Sequence, residues 1–254
     1  MRRHALAAQL AFLCVFLGVW ELVGRIGWTD TDVLPAFSLV AVEIVQLVQS
    51  ADFMNQLWIT TVRVAVAFAI GAPIAISAGF LLGEKLYLGR ILNPIVHFVL
   101  AVPQSVFLPI FIQAFGVGFL QKVVFGVTHV FFVVAVNTVA SVRAVPKPLV
   151  LATRSFGATP TQIYWKIYLP AMLPLIVTGL RIGMVFNIIG VLLAEMYGAR
   201  QGVGLNIFEW GESFQTTKLM AAIVIVSAGT IAINELMRIW EARVGRWQAA
   251  LLAT

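Results

Sequence analysis

Long apolar runs dominate this chain, and short polar segments separate them. Each run approaches the roughly 20 consecutive apolar residues that a helix needs to cross the hydrocarbon core of a bilayer. The runs are Ala5–Gly24, Val64–Leu82, Ile91–Phe115, Val123–Val142, Leu169–Ala194 and Leu219–Asn234. This pattern predicts an all-α membrane protein that forms a single domain over residues 1–254. We expect its helices near 5–26, 58–83, 90–115, 119–143, 169–197 and 217–239.

Prolines interrupt the third apolar run. Pro103 and Pro109 each lack the backbone N–H of a helical hydrogen bond and clash with the preceding turn. In lipid, the freed carbonyls need partners from the protein or from water in a cavity, so broken helices often line transport paths. Two interpretations stay open: Pro103 marks a translocation pathway, or it marks a packing kink.

An amphipathic segment lies between the first and second runs. Val40, Ile44 and Leu47 recur there at helical spacing, and Ser38 precedes them as a suitable N-cap residue. The segment predicts a short helix that lies along the outer membrane interface.

The segment 146–168 is longer than a tight connection between membrane helices requires. Residues 149–156 can form a short helix, and Gly157 suits the left-handed cap at its end. Thr159 and Gln162 have the spacing of a capping box, which starts a second short helix directed toward Pro170.

Basic and aromatic side chains flank this glycine corner. Arg154 and Phe156 lie just before Gly157, and Trp165 and Lys166 follow it in the second predicted short helix. Such a surface suits insertion into a groove of a second protein. We therefore interpret 146–168 as a docking hairpin, with hinges expected at Gly157 and Pro170.

The charges are few and unevenly distributed. Only 11% of the residues are charged, against about a quarter in soluble domains, and the net charge is +6. With the N-terminus inside, most Lys and Arg residues fall in cytoplasmic segments, which follows the positive-inside rule and places both termini inside. This distribution argues against nucleic-acid binding. The cations assigned to outer segments are Arg25, Lys122, Arg200 and Lys218.

Two arginines, Arg63 and Arg181, fall inside apolar runs. Charges at membrane depth usually face the bundle interior or a cavity. In one interpretation these arginines give the pathway a positive potential that favours a small anion. In the other they pair with helix-end carbonyls or with an acid such as Glu195. Glu195, near the outer end of the fifth run, also suits a gate or a contact with an external protein.

The chain offers no set of residues for catalysis or metal binding. Cys14 is a lone cysteine, His97 and His129 are scattered within apolar runs, and no phosphate-binding loop of the G-x-x-x-x-G-K-[ST] type occurs. We therefore predict a non-enzymatic chain without catalytic residues, metal or cofactor of its own.

The hairpin resembles the EAA loop of ABC-importer permeases, and the wider chain resembles their nitrate/sulfonate/taurine branch. The resemblance runs from about residue 30 to the C-terminus. Its matching positions are Leu34-Pro35, Thr60–Arg63, Gly71, Pro94, Val102-Pro103, Leu108–Ile110, Phe115–Gly118, Asn137-Thr138, Ala152, Gly157-Ala158, Leu169–Ala171, Pro174, Gly179–Arg181, Ala194–Met196 and Gly202–Gly204.

The resemblance implies a six-helix type I permease of the bacterial inner membrane. It implies a homodimer in the lipid bilayer, with two cytosolic ATPase subunits that bind ATP and Mg, and an extracytoplasmic solute-binding protein. The residues expected to contact an ATPase subunit are Ala152, Arg154, Phe156, Gly157, Ala158, Gln162 and Pro170. The residues expected along the pathway are Arg63, Pro103, Arg181 and Glu195.

Two points stay open: the effect of one departure from the family loop, and the identity of the solute. The loop of the family usually opens with Glu-Ala-Ala, whereas this chain has Leu151 in place of the acidic residue. The branch implies nitrate, a sulfonate, taurine or a similar organic anion as the solute. A neutral or heteroaromatic solute, such as a vitamin precursor, is the alternative, followed by a stand-alone secondary transporter.

Overall fold

A computed structural model describes residues 2–26 and 33–252 of the chain, and within these ranges every regular element is helical. The all-α fold class is thereby confirmed. The helices are α1 (Arg2–Ile26), α2 (Phe37–Gln49), α3 (Ala51–Glu84), α4 (Leu86–Ala101), α5 (Leu108–Phe115), α6 (Phe119–Ala144), α7 (Lys147–Ser155), α8 (Pro160–Ile163), α9 (Leu169–Met196), α10 (Val203–Glu212) and α11 (Thr216–Leu252). A 3-10 turn covers Gln104–Phe107, and a π-helical turn covers Tyr164–Tyr168.

Four of these helical segments are long and apolar enough to cross a membrane: Ala51–Glu84, Phe119–Ala144, Pro160–Met196 and Thr216–Gly245. A fifth span exists if the bent pair Tyr87–Ala101 and Gln104–Phe115 is counted as one. α1 is a helix of 25 residues, and its middle part carries exposed apolar side chains such as Phe12 and Phe16. The count of six spans and the boundaries of the single domain stay predictions.

The break expected in the third apolar run is present. The two parts of the bent pair meet at 87° around Val102 and Pro103. Val102 and Pro103 have extended ψ angles, and Val102 donates its N–H back to Phe98. The helix therefore ends before Pro103, as the steric restriction on the residue before a proline requires.

Three helices, α3, α6 and α9, form the centre of the bundle. α3 and α6 run parallel, because Gly71 lies against Val130 and Gly83 lies further along against Val142. Glycine lets the two backbones approach closely, as is common between membrane helices.

α9 runs antiparallel to α6. Gly179, near its beginning, lies against Asn137, and Gly190, near its end, lies against His129. Since α3 and α6 run toward the segment 146–168 and α9 returns from it, residues early in α3 and late in α9 meet at the far end of the bundle.

A second apolar cluster joins α2, α10 and α11 to the start of α3. Phe53 of α3 stacks on Trp210 of α10 with 6.1 Å between ring centroids. The predicted N-cap of α2 was wrong: Ala36 occupies that position, while the Ser38 N–H and hydroxyl both donate to Glu21 of α1. Ser50 instead caps α3 by accepting from the Phe53 N–H.

Candidate functional site

The glycine corner forms where the sequence placed it. α7 ends at Ser155, and Gly157 adopts a φ of +79°, a left-handed conformation that glycine adopts without steric cost. The Gly157 N–H donates to the Arg154 carbonyl at 2.9 Å, and the Ala158 N–H donates to the Thr153 carbonyl at 3.3 Å. These two bonds satisfy free carbonyls at the end of the helix and fix the direction of the corner.

The capping box on the other side of the corner is complete. The Thr159 hydroxyl accepts from the Gln162 N–H at 3.3 Å, and the Gln162 side chain accepts from the Thr159 N–H at 2.9 Å. Pro160 stands at the start of the helix, where an N–H would have no partner within the helix, so proline loses no hydrogen bond there. Hydrogen bonds between neighbouring residues therefore fix where α8, the second arm of the hairpin, begins.

Buried side chains anchor the hairpin, and other side chains project from it. Val150 and Ile163 belong to the main apolar core. The rings of Tyr164 and Phe80 meet edge to face, 4.9 Å apart. By contrast, the ring of Phe156 is 91% exposed, and Trp165 is also exposed. An aromatic side chain so exposed beside a fixed corner is suited to contact another molecule.

The other predicted docking residues lie on or beside this surface. Ala152, Arg154 and Gln162 are exposed, and Ala158 is half-buried against the core.

The second arm continues without interruption into the bundle. α8, the π-helical turn and α9 form one helical segment over Pro160–Met196. Within this segment α9 begins at Leu169, so the half-buried Pro170 lies in its first turn, as the sequence predicted. The hinge at Pro170 stays a prediction. The π turn just before Pro170 changes the local hydrogen-bond register, and such turns are frequent at functional sites.

A buried ion pair lies at the far end of the bundle. Nη1 of Arg63 donates to Oε1 of Glu195 at 2.6 Å, and it also donates to the Gln201 carbonyl at 2.7 Å. The other carboxylate oxygen, Oε2, accepts from the Thr60 hydroxyl at 2.8 Å and from the Gly204 N–H at 3.0 Å. The pair therefore ties α3, α9 and the start of α10 together, as the pairing interpretation of Arg63 expected.

Lys122 adds a second buried cation near this pair. Its side chain is fully buried at the start of α6, and Nζ donates to the carbonyls of Val117 at 2.6 Å and Gly198 at 3.4 Å. The assignment of Lys122 to an outer segment stays a prediction, whereas its burial was not predicted. The hydrophobic pattern of the sequence does not predict that Lys122 is buried. Its burial depends on the loops of Val117 and Gly198, which come together only in the folded chain.

Arg181 pairs elsewhere. Its Nε donates to Oε2 of Glu241 on α11 at 2.8 Å, and the hydroxyl of Thr178 donates to Oε1 of the same carboxylate at 2.6 Å. Both charged side chains are about one quarter exposed. Sequence reasoning missed Glu241, because it lies beyond the last apolar run.

The structure thus brings together only two of the four predicted pathway residues. Arg63 and Glu195 are paired, Arg181 is held by Glu241, and Pro103 lies exposed at the break after α4. Among the described residues, no group of three or more His, Cys, Asp or Glu side chains is arranged to hold a metal ion.

Relatives of known name match nearly the whole chain. The permease protein SsuC of Bacillus subtilis (strain 168), named for aliphatic sulfonates transport, is 27% identical over 97% of this chain and 90% of its own length. The taurine transport system permease protein TauC of Escherichia coli (strain K12) is 28% identical over 94% of this chain and 89% of its own length.

Solved structures match the fold. An inward-facing structure of the MetNI methionine ABC transporter superposes with a TM-score of 0.65, covering 78% of this chain and 99% of the matched chain at 22% identity. The model of the family described as "Binding-protein-dependent transport system inner membrane component" matches residues 71–246. The chain therefore belongs to this family of inner-membrane ABC transporter permeases, whose members leave ATP hydrolysis to a partner ATPase.

Proposed function

We propose that this permease imports a small organic anion of the sulfonate or taurine class, delivered by an extracytoplasmic solute-binding protein. The names of the relatives SsuC and TauC, which align over nearly their whole length, support this solute class. Nitrate and a neutral or heteroaromatic solute are the competing choices. The proposed assembly is a homodimer with two ATPase subunits, which bind ATP and Mg, and with both termini of each permease chain in the cytoplasm.

The exposed ring of Phe156 beside Gly157 is the observation that carries the coupling role. Phe156 is 91% exposed, whereas Val150 and Ile163, which anchor the hairpin to the core, are buried. The hairpin therefore presents an exposed apolar knob, the Phe156 ring, and we assign the ATPase contact to it. Arg154 and Gln162 flank the knob with polar groups, in keeping with the polar rim of protein interfaces.

Leu151 affects the chemistry of the proposed contact between the hairpin and the ATPase subunit. It stands where the loop of the family usually carries an acidic residue, and its side chain is exposed. An apolar residue there enlarges the apolar part of the docking surface. The proposed contact therefore depends on apolar burial more than on an ion pair at this position.

The continuity of the hairpin with α9 supports alternating access as the proposed mechanism. Closure of the ATPase dimer would move the Gly157 corner, and the helical segment Pro160–Met196 would carry this motion to Glu195. Solute crosses by exchange between the two states, without covalent chemistry on this chain.

Co-expression with the candidate ATPase subunit tests the coupling role. We expect the wild-type chain to co-purify with the ATPase, and Phe156→Ala and Gly157→Asp to lose that complex and its ATPase activity. Phe214→Ala is the matched control, because Phe214 is a 74% exposed aromatic residue in the turn between α10 and α11.

Either result is informative. If Phe156→Ala and Gly157→Asp bind the ATPase as well as Phe214→Ala does, the hairpin is not the docking surface. If the wild-type chain binds no ATPase at all and still transports solute, it works as a stand-alone secondary transporter. Uptake of labelled taurine by the full assembly in lipid vesicles then tests the solute class.

A further inference from the structure

A cavity of about 390 Å³ opens beside the buried ion pair of Arg63 and Glu195. Its volume falls within the range of roughly 300–1,000 Å³ that is usual for small-molecule sites. The wall residues that bear on its chemistry are Trp58, Arg63, Gly118, Phe119, Arg200 and Gln201.

The wall carries positive charge from two arginines. The side chain of Arg63 is only 7% exposed, and its Nε has no hydrogen-bond partner among the described residues. Arg200 is exposed and forms no ion pair with an acid in the described part of the chain. An unpartnered donor in a buried guanidinium is costly, and an oxyanion is its natural acceptor.

The start of α6 adds donors to the same wall. Gly118 is the N-cap of this 26-residue helix and provides no side chain to cap it. The first N–H groups of a helix lack partners within the helix and attract anions. This helix end and the buried Arg63 are independent features that favour the same kind of ligand.

The local charge balance favours an anion. Glu195 neutralises Arg63, and the described residues that line the cavity include no carboxylate. Arg200 therefore gives the cavity wall a positive charge that no carboxylate of the wall offsets.

We propose that this cavity binds the oxyanion head of a small molecule. The head acts only as an acceptor and receives hydrogen bonds from Arg63, Arg200 and the start of α6. The identification of that molecule as the transported sulfonate rests on the proposed function. A lipid phosphate presents the same chemistry, and the exposed Trp58 is a side chain typical of the membrane interface. The test separates these two sources.

Direct binding is measured on the permease–ATPase complex in phosphatidylcholine nanodiscs, without the solute-binding protein. The probes are ethanesulfonate and, as a neutral molecule of similar size, dimethyl sulfone. The readout is the change in tryptophan fluorescence that disappears in Trp58→Phe. We expect ethanesulfonate alone to bind, and Arg200→Gln to weaken it about tenfold, in keeping with loss of one charge-assisted hydrogen bond.

Lys218→Gln is the matched control. It removes one cation near the start of α11, where Lys218 bonds Gln215 outside the cavity. Arg200→Lys retains the charge and should recover part of the affinity. If Arg200→Gln and Lys218→Gln weaken ethanesulfonate equally, the effect is general screening and the site is rejected.

The lipid source is tested separately, by phospholipid phosphorus retained per permease after detergent extraction. Loss of retained phospholipid in Arg200→Gln, with no ethanesulfonate binding to the wild type, supports the oxyanion site with lipid as its ligand. The absence of both effects overturns the proposal. Because binding is measured without transport, a failure to import taurine refutes the proposed solute and leaves the cavity result standing.

Discussion

Arg63 and Glu195 are separated by 132 positions in the chain, yet their side chains meet at 2.6 Å and both are buried. Breaking a buried ion pair on one side costs about 3–5 kcal/mol, because the remaining charge loses its partner. We therefore expect Arg63→Met to lower the free energy of unfolding in detergent by about this amount. The double variant Arg63→Met/Glu195→Met should be more stable than Arg63→Met. A double variant that is less stable than either single variant contradicts this account.

Lys122 donates hydrogen bonds to the carbonyls of two loops and not to a carboxylate. In Lys122→Met the carbonyls of Val117 and Gly198 lose a charged donor, which costs about 1–3 kcal/mol if they find no water. We expect faster amide hydrogen exchange in residues 116–120 and 198–204 and unchanged exchange in α7. Uniform acceleration over the whole chain would instead indicate a global loss of stability.

Because Arg181 and Glu241 form an ion pair, we expect variants of either residue to lower transport to the same extent. Both side chains are partly exposed, so we expect a coupling free energy of only about 0.5–1 kcal/mol from a double-mutant cycle. If Arg181 acts through this pair, Glu241→Gln lowers transport as much as Arg181→Gln does. If only Arg181→Gln lowers transport while both variants express normally, Arg181 acts on the solute instead.

Gly79 is a sensitive point in the contact between α3 and α6. A Cβ at this position would lie 2.6 Å from the Ala135 carbonyl oxygen, which is backbone and cannot move aside. We expect Gly79→Ala to cost about 1–3 kcal/mol through overpacking. Gly229→Ala in α11 meets nothing within 4 Å and should stabilise that helix by about 0.5–1 kcal/mol. Thermal unfolding of the two variants in the same detergent compares them directly.

The features that the sequence predicted correctly depend on residues close together in the chain. The corner at Gly157 and the capping box of Thr159 and Gln162 are built from hydrogen bonds across three to five positions. The break before Pro103 is likewise a local steric effect. Their residue types and spacing therefore contain the information needed.

The features that it missed depend on contacts between distant segments. Ser38 has the right chemistry for an N-cap, but the carboxylate of Glu21 on α1 takes both of its donors. Lys122 is buried because the segments at Val117 and Gly198 converge on it, and Glu241 reaches Arg181 only because α11 packs on α9. The π turn over Tyr164–Tyr168, which joins α8 to α9 without a loop, was likewise not predicted from the sequence.

Under the proposed mechanism, the helical segment Pro160–Met196 transmits tilting of the Gly157 corner to Glu195. At 1.5 Å per residue its 37 residues extend over roughly 55 Å. A tilt of about 5° at the Gly157 corner would shift the opposite end by about 5 Å over such a length. That shift exceeds what the 2.6 Å contact between Arg63 and Glu195 can tolerate. Either α3 moves together with α9, or the ion pair opens each time the corner tilts that far.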